Sequence, residues 1–218
     1  MLYGVLWFGI YNVALNWSEQ HVDAGTAAII VSTAPILIAV IAGFSLKEGF
    51  PRPLLTGSAV AFVGAVLIGI GTSTQTLRAG LGTALCVVAA IGHALAVVTQ
   101  KPLLGHASAL VVTWLACLVG IVFCLPFAAQ LIHQLGTAAP SSIWWTLYLG
   151  AFPTAVAFTT WGYALARSTA GRMGAMTYLV APISVVLAWL ILSETPPWLA
   201  LVGGALCLGG VIFSRRRT

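Results

Sequence analysis

Apolar runs long enough to cross a membrane follow one another along almost the whole chain, and this constrains the fold more than any single motif. Crossing ~30 Å of hydrocarbon takes about 20 residues of helix, and only helices or closed barrels satisfy every backbone polar group there. The runs are continuous and do not alternate, so they select helices. Eight spans are predicted: Leu2–Trp17, Ala24–Leu46, Pro53–Gly71, Gly80–Thr99, Ala107–Gln130, Ser142–Ala166, Met173–Ser193 and Trp198–Phe213. Between them lie short polar punctuations such as "SEQHVD", "KEGFPRP", "TSTQTLRAG" and "RSTAGR", rich in charges and turn formers. The expected fold is therefore an all-α membrane protein, a polytopic helical bundle with no attached soluble domain.

Charge supplies the orientation. Only 6% of residues are charged, against roughly 25% in soluble domains. The net charge of +5 does not indicate nucleic acid, because the basic residues are distributed as topology signals. With the C-terminal "SRRRT" in the cytoplasm, alternate turns place Lys47, Arg52, Lys101, Arg167, Arg172 and Arg215 to Arg217 on that side, and only Arg78 on the other. This positive-inside bias predicts that both termini are cytoplasmic. The four cysteines sit within apolar spans without metal-ligand spacing and read as small buried hydrophobes. No cofactor or metal is implied. Four scattered histidines without H-E-x-x-H or G-x-S-x-G give no basis for an intramembrane enzyme.

The chain also repeats a phrase. "STAPILIAVIAGFSLKEGF", Ser32 to Phe50, returns as "LVAPISVVLAWLILSETPP", Leu179 to Pro197. Tyr11-Asn-Val-Ala-Leu aligns with Trp161-Gly-Tyr-Ala-Leu, Pro35 with Pro182, Glu48 with Glu194, Gly57 with Gly203 and Gly64 with Gly210. The matched spans are one to three and six to eight. Five spans separate the copies, so they run in opposite directions: an inverted repeat, the device by which transporters rock about a midplane site.

With "TTWGYALARSTAGRMGAMTYLVAPISVVLAWLILSE" and "LALVGGALCLGGVIFSRR", the pattern resembles the EamA-like family of the drug/metabolite transporter superfamily, ten-span proteins made of two inverted five-helix repeats. The resemblance covers nearly the whole chain. It implies an incomplete first repeat over residues 1–71, with three helices, and a full second repeat over residues 80–217. It also implies export of a small metabolite or amphipathic compound across a bacterial cytoplasmic membrane. Because Met1 aligns with Ala151, the stretch from Gly80 to Gly150 has no counterpart in the first repeat, and two further spans are expected upstream. The rival reading is a truncated, inactive fragment or a non-transporting membrane subunit.

Several residues become candidates. Pro35 and Pro182 lack an N–H and free the carbonyls of Val31 and Tyr178, producing either a packing kink or a hinge at a cavity wall. Glu48 and Glu194 close the same helices. Each either caps the span that follows it or gates by making and breaking a hydrogen bond. Asn12, His93 and Tyr178 lie mid-span, with Tyr11, Trp161 and Tyr163 as aromatic neighbours, and this set is expected to line a substrate cavity. His93 either bonds another helix or contacts substrate. Small residues four apart, Gly57, Ala61 and Ala65, and likewise Ala205 and Gly209, predict close helix packing at the bundle's flank or at a homodimer contact. The expected partners are the lipid bilayer and a small-molecule substrate.

Overall fold

The computed structural model describes residues 1–73, 80–193 and 195–215. Arg78, Arg216, Arg217 and Glu194 lie outside the described residues. The described residues form helices and no strand, in the order of the eight predicted spans. Helix α1 runs as a turn, Leu2–Gly4, a π-helical stretch, Val5–Tyr11, and an α-helix, Asn12–Ser18. Helix α2 covers Ala24–Ser45, α3 Arg52–Thr72, α4 Leu81–Leu103 and α5 Ala109–Leu135. Helix α6 is Pro140–Ala166, α7 is Ala170–Ile191 and α8 is Trp198–Ser214. Of these, α2, α3, α4, α5 and α7 are each long and apolar enough to cross a membrane, and α8 is a shorter apolar helix. The chain is a helical membrane bundle. The many exposed Leu, Ile, Val and Phe side chains on α5, α6 and α7 are what a lipid-facing surface requires, since lipid tails are as apolar as they are.

Two of the helices are interrupted where prolines were expected to interrupt them. In α2 the regular helix stops at Val31 and resumes at Ala34. Pro35 has no N–H to give, and the hydroxyls of Ser32 and Thr33 fold back on the carbonyls of Ile29 and Ile30 at 2.6 and 2.7 Å. In α7 a 3₁₀ turn, Thr177–Leu179, precedes Pro182. Helix α6 also has a proline in its interior, Pro153, and the neighbouring Thr154 hydroxyl donates to the Leu149 carbonyl at 3.2 Å. This is the carbonyl that the missing proline N–H leaves open, satisfied locally as lipid demands.

The most extensive helix pair is α3 with α8, and glycine makes it. A methyl at Gly57 would lie 2.5 Å from the Gly210 carbonyl oxygen, and one at Gly64 would lie 2.5 Å from that of Gly203. The two backbones touch directly. The contact is reciprocal with respect to the repeat: the partners of Gly57 and Gly64 are Gly210 and Gly203, and the sequence aligns these residues in the opposite pairing. Ala205 and Gly209 face outward, and α8 meets α3 through Gly203, Cys207 and Gly210.

Elsewhere the first segment of α7 packs on the second segment of α2, and α1 packs on α4 and α5. Each end of the bundle is tied by polar contacts. At one end Asp23 caps α2, accepting from Thr26 N at 3.0 Å, and also accepts from the Ser73 hydroxyl at 3.1 Å. Desolvation pushes the Asp23 carboxyl upward, but the hydrogen bonds from Thr26 and Ser73 prevail and hold it below the ordinary carboxylate value. At the other end Glu48 and Lys101 hold the α6–α7 turn.

Candidate functional site

Trp7 is the centre of the polar interior. It lies in the π-helical stretch of α1, where the Asn12 side-chain amide donates to the Trp7 carbonyl at 2.7 Å. A π turn widens the helix, and the Trp7 carbonyl, which already accepts from the Asn12 backbone N–H, takes the Asn12 amide as a second donor. The mid-span asparagine thus has a local partner. The Trp7 ring packs against Tyr3, Tyr11, Phe158 and Trp161 at centroid distances of 5.8, 5.9, 5.4 and 6.2 Å. His93 sits between Trp7 and Tyr11, at 4.9 and 4.8 Å. Such separations suit tilted and edge-to-face aromatic contacts.

In this aromatic nest both ring nitrogens of His93, Trp7 Nε1 and Tyr3 Oη are buried and have no hydrogen-bond partner among the described residues, and the same holds for Gln100 Nε2, Thr113 Oγ1, Thr159 Oγ1 and, on α3, Ser58 Oγ. Gln100 is wholly buried. It accepts from Trp161 Nε1 at 3.2 Å through its oxygen, which leaves its amide free to donate. His93 and Gln100 are seven residues apart and share one face of α4, so a polar track runs from mid-helix toward the α4–α5 turn. Among the described residues no Asp, Glu, Lys or Arg is buried. Unpaired buried polar groups cost about 1–3 kcal/mol each, and in folded proteins such groups are met by ordered water or a bound molecule.

The six residues expected to bind substrate therefore separate. Tyr11, His93 and Trp161 converge on Trp7. The Asn12 amide donates within its own helix, to the Trp7 carbonyl. Tyr178 lies in a different cluster, among Ala61, Ala65 and Cys207, and its hydroxyl donates to the Ser32 carbonyl at 2.9 Å. That bond joins the interruption of α7 to the interruption of α2, and it shows that the opened carbonyl with a side-chain partner is that of Ser32 rather than Val31. Tyr163 faces outward, 56% exposed, with the Arg167 guanidinium 3.5 Å from its ring centre. Its place on α6 turns it away from α1 and α4.

Glu48 is corrected in its partner. It does not cap α3, the span that follows it. Its carboxylate accepts from Ala170 N at 2.7 Å and Gly171 N at 3.1 Å, at the start of α7. The turn that leaves α2 makes this reach possible, with Lys47 and Gly49 both at positive φ, 56° and 73°. Sequence reasoning missed Tyr3, Trp7, Gln100 and Lys101. Trp7 stands one helical turn before Tyr11, and Gln100 two turns after His93, and these spacings were the available signal.

A multi-span helical bundle with a buried, uncharged, aromatic and polar interior is a polytopic membrane protein of a kind that includes the solute transporters. The particular family follows from comparison: the model of the EamA-like transporter family matches residues 1–70 and 80–216. The chain belongs to that family, and it is a transporter. It is 39% identical to a protein of Streptantibioticus cattleyicolor named "Probable terminal-alkyne amino-acid exporter", over 100% of this chain and 72% of that protein. It is 30% identical to the "Uncharacterized transporter YetK" of Bacillus subtilis, over 93% of this chain and 63% of that protein. It is also 24% identical to a "Probable amino-acid metabolite efflux pump" of Escherichia coli, over 94% of this chain and 70% of that protein. A solved crystal structure has the same fold, with a TM-score of 0.76 at 21% identity, over 98% of this chain and 76% of the other.

Proposed function

We propose that the protein exports a small, net-uncharged amphipathic metabolite of the amino-acid type across a bacterial cytoplasmic membrane, with both termini in the cytoplasm. The observation that carries this reading is the group of unpaired buried polar atoms around Trp7 and His93. An interior with aromatic faces, hydrogen-bond donors and acceptors and no buried charge suits a solute whose own charges sum to zero. A net ion would meet the full desolvation penalty there. The names of the relatives from S. cattleyicolor and E. coli support the same substrate class.

Transport proceeds by alternating access between two inverted units, residues 1–71 and 80–217, with the interruptions at Pro35 and Pro182 as the flexible points. Tyr11, His93 and Trp161 contact the solute, together with Trp7 and Gln100. The test is counterflow of a panel of radiolabelled neutral amino acids in proteoliposomes. His93→Ala is expected to lower the rate at least about tenfold, the effect of roughly 1.4 kcal/mol, with unchanged reconstituted protein. Equal loss of transport and of folded protein would make His93 structural and overturn its place in the site.

A further inference from the structure

The α6–α7 turn is gripped from two sides by side chains of opposite charge. Lys101, on α4, donates to the carbonyls of Leu165 at 2.7 Å and Ala166 at 3.3 Å, which close α6, and to that of Ser168 in the turn at 2.5 Å. Glu48, from the α2–α3 turn, accepts from the two N–H groups that open α7. The ammonium thus meets the negative end of one helix dipole and the carboxylate the positive end of the next. These are charge-assisted bonds, about twice as strong as neutral ones.

Glu48 adds to a local cap rather than replacing it. Helix α7 already has its own cap, the Thr169 hydroxyl accepting from Arg172 N at 3.3 Å. Glu48 reaches the turn from 122 residues away and across the boundary between the two repeats. Beneath it the contacts of α7 are apolar: Gly174 lies on Ile38 and Gly171 on Ala39, both of α2, and Gly171 also meets Leu54 of α3. Such a contact can slide or part, and the polar grip above it is what fixes it. The grip lies beside a crevice of about 410 Å³ lined by Leu46, Glu48, Lys101, Pro102, Leu104, Gly105 and Ala166. Water in a space of that size can take over the released N–H and C=O groups, so letting go does not strand them.

We propose that Glu48 and Lys101 form a releasable latch on the α6–α7 turn. It keeps the bundle closed on the face that carries the C-terminus, and its release accompanies opening of the path to His93. The proposal rests on the transporter reading, but its test needs no solute, so it can fail while that reading stands. Met173 lies one turn inside Ala170, in the core, and is 6% exposed. In a background with Cys86, Cys117, Cys124 and Cys207 replaced, Met173→Cys reports access. A membrane-impermeant maleimide is applied to sealed vesicles sorted by the side of a C-terminal tag.

Glu48→Ala and Lys101→Met are expected to raise labelling from the C-terminal face about fivefold or more, the shift expected in a two-state equilibrium on losing one such bond. Labelling from the opposite face should stay level or fall. Glu48→Gln, whose amide oxygen still accepts, should lie between. Unchanged labelling from the C-terminal face overturns the latch, as does an equal rise from both faces, which would mark a general loosening by a purely structural cap. Should Glu48→Ala fail to give monodisperse protein, the isosteric Glu48→Gln decides by the same ratio of the two faces.

Discussion

Gly209 and Gly210 are neighbours on α8, yet alanine at the two positions should change stability in opposite directions. At Gly210 a methyl would stand 2.5 Å from Ala61 N and Gly57 O and 2.9 Å from Ala61 Cα, where ordinary contact begins near 3.4 Å. The obstacle is backbone, which has no rotamer to yield. The two helices must therefore part by about 0.9 Å, the difference between those distances. A gap of that size gives up a quarter to a half of the van der Waals attraction across it, and overpacking of this kind costs about 1–3 kcal/mol. Alanine's better helix propensity returns about 1 kcal/mol, so the net loss is about 1 kcal/mol.

At Gly209 nothing lies within 4 Å of the added methyl, and only the gain remains, about 0.5–1 kcal/mol. The two variants should therefore differ by about 2 kcal/mol. For a chain of this length that is about 4–8 °C in Tm, readable by thermal unfolding of purified protein in detergent. The double variant Gly57→Ala/Gly210→Ala should cost less than the sum of its parts, because one separation of the helices accommodates both methyls. Equal signs at 209 and 210, or strict additivity of the pair, would refute direct backbone contact between α3 and α8.

Tyr178→Phe removes the donor to the Ser32 carbonyl and should destabilise by about 1 kcal/mol, between the mean of about 0.6 for polar contacts in membranes and the 1–3 of an orphaned buried acceptor. A change too small to measure would mean that this carbonyl has another partner. Asp23→Ala should cost about 1 kcal/mol near neutral pH. Because folding lowers the Asp23 pKa, its contribution is present above the unfolded value near about 3.9 and is lost as pH falls through the lower folded value. The gap between wild type and variant in Tm should therefore close on acidification, and a constant gap would contradict the assignment. Gly49→Ala, at φ 73°, should cost about 1 kcal/mol, and by disturbing the turn that aims Glu48 it should raise Met173→Cys labelling from the C-terminal face. Unaltered labelling would separate the turn from the latch.

The sequence by itself determined the class of fold, because hydropathy and helix length are local quantities. A run such as Leu81–Leu103 must be a helix in lipid whatever its neighbours do. It also located the interruptions of α2 and α7, because proline removes an N–H wherever it stands. What only the tertiary structure decided is which helix each side chain serves. Glu48 was recognisable as a capping residue, but the helix it caps begins 122 residues later, and no local spacing encodes that. Asn12 read as a site residue until the π turn gave it a partner in its own helix. The face of α8 that meets α3 could not be chosen from spacing, because Ala205–Gly209 and Gly203–Cys207 offer the same four-residue interval. In water a polar and an apolar face would have distinguished them. In lipid both faces are apolar, so complementarity to the partner backbone decides, and that exists only once the helices are packed.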